Sequence, residues 1–348
     1  MYFLCNIKGG LYLEIRRVQI TGGSSYIVTL PKEWIKSLNI HKNDPIGLFQ
    51  QSDGTLLISS KMDREQTQRI KEFRVDNNVD YEFLSRKLIG AYIAGYNSIK
   101  IKSKGRMPSG IRITVRNFTQ TTIGQEVVEE TDNSITIKDL LNPAEMPFHR
   151  TIKRMHIMTK GMYEDTIHAL KNNDKELAED VLKRDNEIDR LHWLVARQHN
   201  IILRNINFAE KMGITTGVAT TSFLISRIIE RIGDHIIRIA DNVINIINNK
   251  FDKKIIEKID NASRLSLDIF SKSIASFSKR DIKEANDNIV TVKKLEKKCE
   301  EINTLALKQD PIISIPIGYI VESIRRIAEY AEDISENVIN YIVGEEKS

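Results

Sequence analysis

Residues 230–244 read ERIGDHIIRIADNVI, and 95 positions later, at residues 325–339, the chain reads RRIAEYAEDISENVI. Arg231, Ile232, Ile239, Asn242, Val243 and Ile244 recur unchanged in that register, and Asp234 and Asp241 return as Glu329 and Glu336. Apolar residues spaced by three and four predict an amphipathic helix in each copy. A helix written twice implies a duplicated unit, because one amphipathic helix cannot bury its own apolar face. Beyond Pro147 the whole text keeps helical period, in segments near 148–172, 174–208, 217–250, 252–279, 281–308 and 312–343. Short polar separators such as Asn172-Asn173-Asp174 and Asp310-Pro311 divide them. The expectation is therefore a pair of three-helix bundles, at 147–250 and 251–348, with the repeated stretch as the third helix of each.

Acids recur at fixed places on these helices. Asp185 and Asp189 stand in LKRDNEIDRL, Glu296 and Glu300 in KKLEKKCEEI, and Glu230 and Asp234 open the first copy of the repeat. In the second copy Arg325 stands at the register of Glu230; Glu329 corresponds to Asp234, and Asp333 follows it one turn later. Residues four apart share a helix face, so each pair aims two like charges one way, at a cost of about 0.2–0.5 kcal/mol unless something positive is near. Two readings follow. Lys183, Arg184, Arg190, Arg231, Lys297 and Arg326 are close enough in sequence to make a salt-bridged surface. Alternatively, carboxylates presented from facing helices hold a hard or borderline cation, and all-oxygen ligation by itself suits magnesium or manganese. Catalysis has little support: Asp189-x-x-His192 has no second copy, and the chain has no P-loop, no GxSxG elbow and no Cys/His pair in a sensible context.

Before Pro147 the text changes character. Residues 1–60 read as short strands (EIRRVQI, GGSSYIVTL, PIGLFQ, TLLIS) with one short helix starting at TLPKEW, where Thr29 can cap and Pro31 suits the first turn. So small an all-β unit has too little apolar area to stand alone, and dimerisation is the expected remedy. Residues 61–146 read as an α/β unit: a helix (YEFLSRKLIGAYIAGY), a strand (SIKIKSK), a helix near 111–118 and a hairpin around Asp132-Asn133. The net charge of +5 is concentrated in this half, most densely at residues 97–125, where Lys100, Lys102, Lys104, Arg106, Arg112 and Arg116 meet no acid. That stretch could track phosphates or form a solvated face. No apolar run approaches the ~18 residues of a membrane helix, and the opening lacks a basic lead, so a cytoplasmic protein without membrane insertion is expected. Two cysteines, Cys5 and Cys299, offer neither a disulfide framework nor a thiolate metal site.

Two resemblances sharpen these expectations. Arg17-Val18, Gly22-Gly23, IVTLPKEWIKSLNI and His41-Lys42-Asn43-Asp44 resemble the AbrB/SpoVT family of swapped-hairpin DNA-binding domains over about 45 residues. The resemblance implies a homodimer that binds DNA, and Arg16, Arg17, Lys32 and Lys36 are the candidate contacts. Gly-Gly-Ser-Ser-Tyr stands where DNA-binding members commonly place Gly-Arg-Ile. ERIGDH and RIADN, with RDNEIDRL upstream, resemble the PhoU family of phosphate-uptake regulators over about 200 residues. That family's tandem three-helix bundles carry (E/D)xxxD motifs binding multinuclear metal clusters. Carried over by motif, Asp185, Asp189, Glu230, Asp234, Glu296, Glu300 and Glu329 are the implied ligands, with Asp333 paired to Glu329, and iron or zinc is favoured. Arg325 departs from the motif and implies a smaller second cluster. An AbrB-like domain ahead of a PhoU-like one resembles an archaeal regulator arrangement. The expected function is a regulator of phosphate uptake that binds the promoters of phosphate-uptake genes and senses through a metal-loaded bundle. The alternatives are an adaptor that inhibits a phosphate ABC transporter through its ATPase subunit without binding DNA and, more remotely, a metal-dependent enzyme.

Overall fold

A computed structural model describes residues 4–6, 12–50, 54–60, 69–76, 78–249 and 252–345. The chain divides into two compact units, Met1–Thr67 and Gln68–Ser348.

The first unit contains three antiparallel hairpins and one short helix. Strands β1 (Leu4–Asn6) and β2 (Tyr12–Glu14) pair, as do β3 (Gln19–Thr21) with β4 (Ser25–Ile27), and β5 (Gly47–Gln50) with β6 (Leu56–Ser59). Gly22 and Gly23 turn β3 into β4 at φ of 61° and 82°, a backbone that a side chain would strain. Helix α1 (Lys32–Ser37) starts from Pro31 with no side-chain cap; Thr29 is occupied elsewhere, its Oγ1 accepting from Arg16 Nη1 at 3.4 Å. Among the described residues of this unit none is fully buried. Val18, Ile20 and Tyr26 are 65%, 66% and 74% exposed, far from the sheltered state such side chains take in a finished core.

The second unit opens with a four-stranded sheet ordered β7-β8-β10-β9: β7 (Ile70–Val75), β8 (Ser98–Ser103), β9 (Gln125–Glu130) and β10 (Ser134–Asp139). β7 and β8 are parallel, joined by α2 (Tyr81–Ile93); α3 (Ser109–Thr121) leads into the antiparallel β9–β10 hairpin. Ile99, Ile101, Ile135 and Ile137, two apart along their strands, are buried with Leu84 and Leu88 of α2 and Ile111, Val115 and Phe118 of α3.

Helices α4 (Phe148–Asn172), α5 (Lys175–Lys183), α6 (Asp185–Arg204), α7 (Ile206–Lys211), α8 (Thr216–Ile246), α9 (Lys253–Lys279), α10 (Ile282–Ala306) and α11 (Pro311–Glu345) follow. Their starts are written in the sequence: Asp174, Thr215, Asp252 and Asp281 each accept a backbone N–H of the first turn. The expected second helix, 174–208, is divided over α5, α6 and α7, with breaks at Arg184 (φ −85°, ψ −8°) and Asn205; the Arg184 guanidinium pairs with Asp165 of α4 at 2.7 Å and Asp180 of α5 at 3.1 Å. The corresponding helix of the second half, α10, runs unbroken.

The repeated residues are the core. Ile232, Ile239 and Val243 of α8 and their counterparts Ile327, Ile334 and Val338 of α11 are all fully buried, each such side chain contributing about 1.5–3 kcal/mol. His235 and Tyr330, equivalent positions of the repeat, meet with ring centroids 5.6 Å apart. A residue touching its own counterpart places the pseudo-twofold relation of the halves between α8 and α11.

Among the described residues Arg197 of α6 is the largest fully buried side chain, and it joins bundle to sheet. Nη2 donates to Asp139 of β10 at 2.5 Å, Nη1 donates to the Tyr92 carbonyl of α2 at 2.6 Å, and the guanidinium lies 4.9 Å from the Tyr92 ring centre. Trp193, one turn earlier, packs on the sheet's core. The α/β region and the bundle are therefore one body sharing α6.

Candidate metal centre and nucleic-acid face

The acids of the first repeat meet where α6 and α8 cross. Asp185 and Asp189 occupy the first turns of α6, which begins there because the chain breaks at Arg184; Glu230 and Asp234 lie mid-way along α8. Gly233 of α8 faces the start of α6: a Cβ there would lie in ordinary contact with Asp185 Oδ1, at 3.9 Å, and with Ile188, at 3.8 Å. Asp185, Asp189 and Glu230 are half-buried, and Asp234 is exposed.

Their electrostatics are those of a group short of positive charge. Burial, and then the charges of Asp185, Glu230 and Asp234, push the Asp189 carboxyl up to about 7. Asp185 is raised by burial and by Asp234, and Glu230 by burial and by Asp234. Asp234 is raised by burial, with Arg227 and Arg231 opposing. Arg227 donates to Glu230 Oε1 at 3.3 Å, while Glu230 Oε2 is buried with no hydrogen-bond partner. An acceptor-only oxygen left so is costly, and a cation would satisfy it. As the side chains are placed, no group of three or more His, Cys, Asp or Glu among the described residues is gathered closely enough to hold a metal. What would favour a cation there is the mutual repulsion of these carboxylates and the one orphaned oxygen of Glu230. His192, the one histidine near these acids in a Glu-x-x-His-like spacing, is occupied: its Nδ1 is 3.0 Å from Ser226 Oγ, and burial lowers its pKa to about 4.

The second repeat is arranged differently. Arg325, at the register of Glu230, donates from Nε and Nη2 to the two oxygens of Glu322 at 3.0 and 2.7 Å and from Nη1 to Glu329. Arg326 bonds the same two acids at 3.2 and 3.0 Å. Glu322 is held below its ordinary value, burial being outweighed by these arginines. Glu296, Glu300 and Asp333 are exposed. Glu332, which the sequence motif does not mark, is raised by burial and then by Glu336, Asp333 and Glu296, so it faces α10 from α11. Period alone could have found it, because Glu332 and Glu336 repeat the four-residue spacing one turn on from the motif.

Of the basic candidates in the first unit, Arg17, Lys32 and Lys36 are exposed. Arg16 is half-buried and bonded to Glu14 and Thr29. In the second unit Lys102 pairs with Glu72 at 2.7 Å and Arg112 with Glu130, which neutralises part of the basic stretch. No helix among the described residues is long and apolar enough to cross a membrane.

Comparison with known proteins agrees with this layout. A family model described as PhoU domain matches residues 152–243, and one described as antidote-toxin recognition MazE, bacterial antitoxin, matches residues 19–66. No curated protein sequence matches the chain. Among solved structures, PhoU from Pseudomonas aeruginosa is similar at 18% identity and a TM-score of 0.51, over 57% of this chain and 96% of that one. The phosphate transport system regulatory protein PhoU from Streptococcus pneumoniae aligns at 17% identity and a TM-score of 0.49, over 58% of this chain and 96% of that one. The Pseudomonas likeness is one of fold. The chain thus carries a PhoU domain behind an amino-terminal MazE/AbrB-like antitoxin domain, with an α/β region between them.

Proposed function

We propose that the protein is a cytoplasmic, homodimeric regulator of phosphate uptake that binds promoter DNA through residues 1–60 and senses through a metal held by the first repeat. The observation that carries the reading is the pairing in one chain of a PhoU domain with a MazE/AbrB-like domain. The regulatory role is supported by that PhoU domain together with the fold shared with PhoU from Pseudomonas aeruginosa. Dimerisation through the amino-terminal unit is supported by Val18, Ile20 and Tyr26, which a second copy would cover.

In this reading Asp185, Asp189, Glu230 and Asp234 hold the metal, with Glu230 Oε2 as the donor that lacks any other partner. A bound divalent or transition ion supplies the positive charge that turns the mutual repulsion of these carboxylates into coordination. Iron or zinc follows from the family likeness, magnesium or manganese from the oxygen donors. The second repeat, closed at the same register by Arg325, is the poorer site. Because α6 bears Asp185 and Asp189 in its first turns and Arg197 about two turns further on, it is the natural route from the metal to the α/β region.

Binding to a promoter fragment of a phosphate-uptake gene tests the DNA step. Arg17, Lys32 and Lys36 from two protomers make six phosphate contacts, so affinity should fall about a thousandfold between about 50 and 200 mM salt. An Arg17→Ala/Lys32→Ala variant that binds as the wild type does at both salts would remove these residues from the interface. If the wild type ignores DNA but retains a transporter ATPase subunit in a pull-down, the adaptor reading replaces this one.

A further inference from the structure

The bundle has a concavity that the acids of the repeat play no part in. It opens where the first turns of α4 and α8 meet the last turns of α9 and α11, with a volume near 710 Å³, within the range that holds cofactor-sized ligands. Its apolar lining includes Ile152 of α4, Ile274 and Phe277 of α9, and Tyr341 of α11, with the Phe277 and Tyr341 rings 6.3 Å apart and steeply inclined. Lys153, Lys279 and Arg280 also line it, and among the described residues no acid does. Arg280 reaches the rim because it ends α9 in the left-handed conformation, at φ 57°; it lies over Tyr341 at 5.0 Å and bonds Glu345 at 2.6 Å. Lys279 pairs with Glu284 at 3.4 Å. Lys153 has no ion pair with any described residue.

Such a cavity selects by two features together. Apolar walls favour a ligand body that gives up water, and an exposed ammonium that no described acid pairs with, beside two paired cations, favours an anionic end. A polar handle is set inside: His156 Nε2 lies 3.3 Å from Ser271 Oγ, and burial lowers the imidazole to about 4, so at neutral pH it is uncharged and can donate or accept. The smaller cavity between α4 and α9, near 290 Å³, lacks this asymmetry, because its Lys171 and Arg264 are both held by Asp260.

We propose that the 710 Å³ cavity binds an amphipathic organic anion, its apolar or aromatic body against Ile274, Phe277 and Tyr341 and its charged end at Lys153. This site is independent of the metal and gives the bundle a second, small-molecule input, contributed by both halves of the repeat.

Titration calorimetry on the full chain tests it with four probes: adenosine monophosphate, dodecanoate, uncharged adenosine and inorganic phosphate. The first two represent the two bodies such an anion can have. At least one of them should bind with saturation below about 1 mM, at least tenfold more tightly than adenosine or inorganic phosphate. Lys153→Glu, on the exposed rim, and Ala275→Phe, which fills the cavity, should each weaken that binding at least tenfold while leaving the thermal melt of Lys153→Glu unchanged. Equal binding of inorganic phosphate or of adenosine, binding indifferent to Lys153→Glu, or no saturation by either anion would each overturn the proposal.

Discussion

Replacing Asp189 by asparagine should stabilise the protein without metal and weaken it with metal. With its carboxyl lifted from 3.8 to about 7, chiefly by burial and then by Asp185, Glu230 and Asp234, ionised Asp189 would cost about 4 kcal/mol at 1.36 kcal/mol per pH unit. The cluster is open to water on the Asp234 side, and screening reduces this to about 2 kcal/mol. The sign follows from linkage: between pH 4 and 7 the folded form keeps a proton that the unfolded chain has released, so stability falls as pH rises through that window and is flat above it. Asparagine resembles the protonated acid at every pH. Chelated Asp189→Asn should therefore melt about 4–8 °C higher than the wild type at pH 8, equal it near pH 4, and show a shallower slope between, the remainder coming from Asp185, Glu230 and Asp234. With metal supplied the order should reverse, because the variant has lost a charged ligand. A chelated variant no more stable than wild type at pH 8, with its pH slope intact, would refute the electrostatic account of the cluster.

Other outcomes follow from the same geometry. Arg197→Met leaves Asp139 buried without its cation and should cost about 3–5 kcal/mol in urea unfolding of the second unit, most of it recovered by adding Asp139→Leu; a loss under about 1 kcal/mol would mean that the pair does not join sheet to bundle. Arg325→Glu places a carboxylate at the register of Glu230 and leaves Glu329 with Arg326 as its one remaining cation, so metal content measured by elemental analysis should rise above that of the wild type; an unchanged ratio would show that Arg325 is not what closes the second repeat. Removal of Met1–Thr67 should leave a helical protein that sediments as a monomer, and an undiminished dimer would move the interface to the second unit.

Much of this architecture is legible in the residues, for local reasons. Helices α4, α8, α9 and α10 begin at caps or prolines that the text displays, and the register of 95 residues makes Arg325 visible as a departure from the sequence alone. What escapes the sequence depends on distant partners. The break at Arg184 carries no glycine or proline; it is stabilised by Asp165 on another helix. Strand β7 reads as a mixed IKEFRV because it is an edge strand of which only Val75 is buried, and its pairing partner β8 lies across α2 in the sequence. Arg197 looks like a solvated helix charge within VARQHN and is fully buried only because Asp139 and Tyr92 come to it. The acids are visible as pairs, but their inequality is not: among the described residues Asp185, Asp189 and Asp234 of the first repeat have no ion pair and Glu230 has only Arg227, whereas in the second repeat Arg325 and Arg326 both hold Glu329.

Chromatin capture of the native protein, with sequencing of the DNA it holds, bears most directly on the regulator reading. Enrichment at the promoters of phosphate-uptake genes, lost in the Arg17→Ala/Lys32→Ala variant, is the predicted result. A profile no different from that of the untagged strain would contradict it.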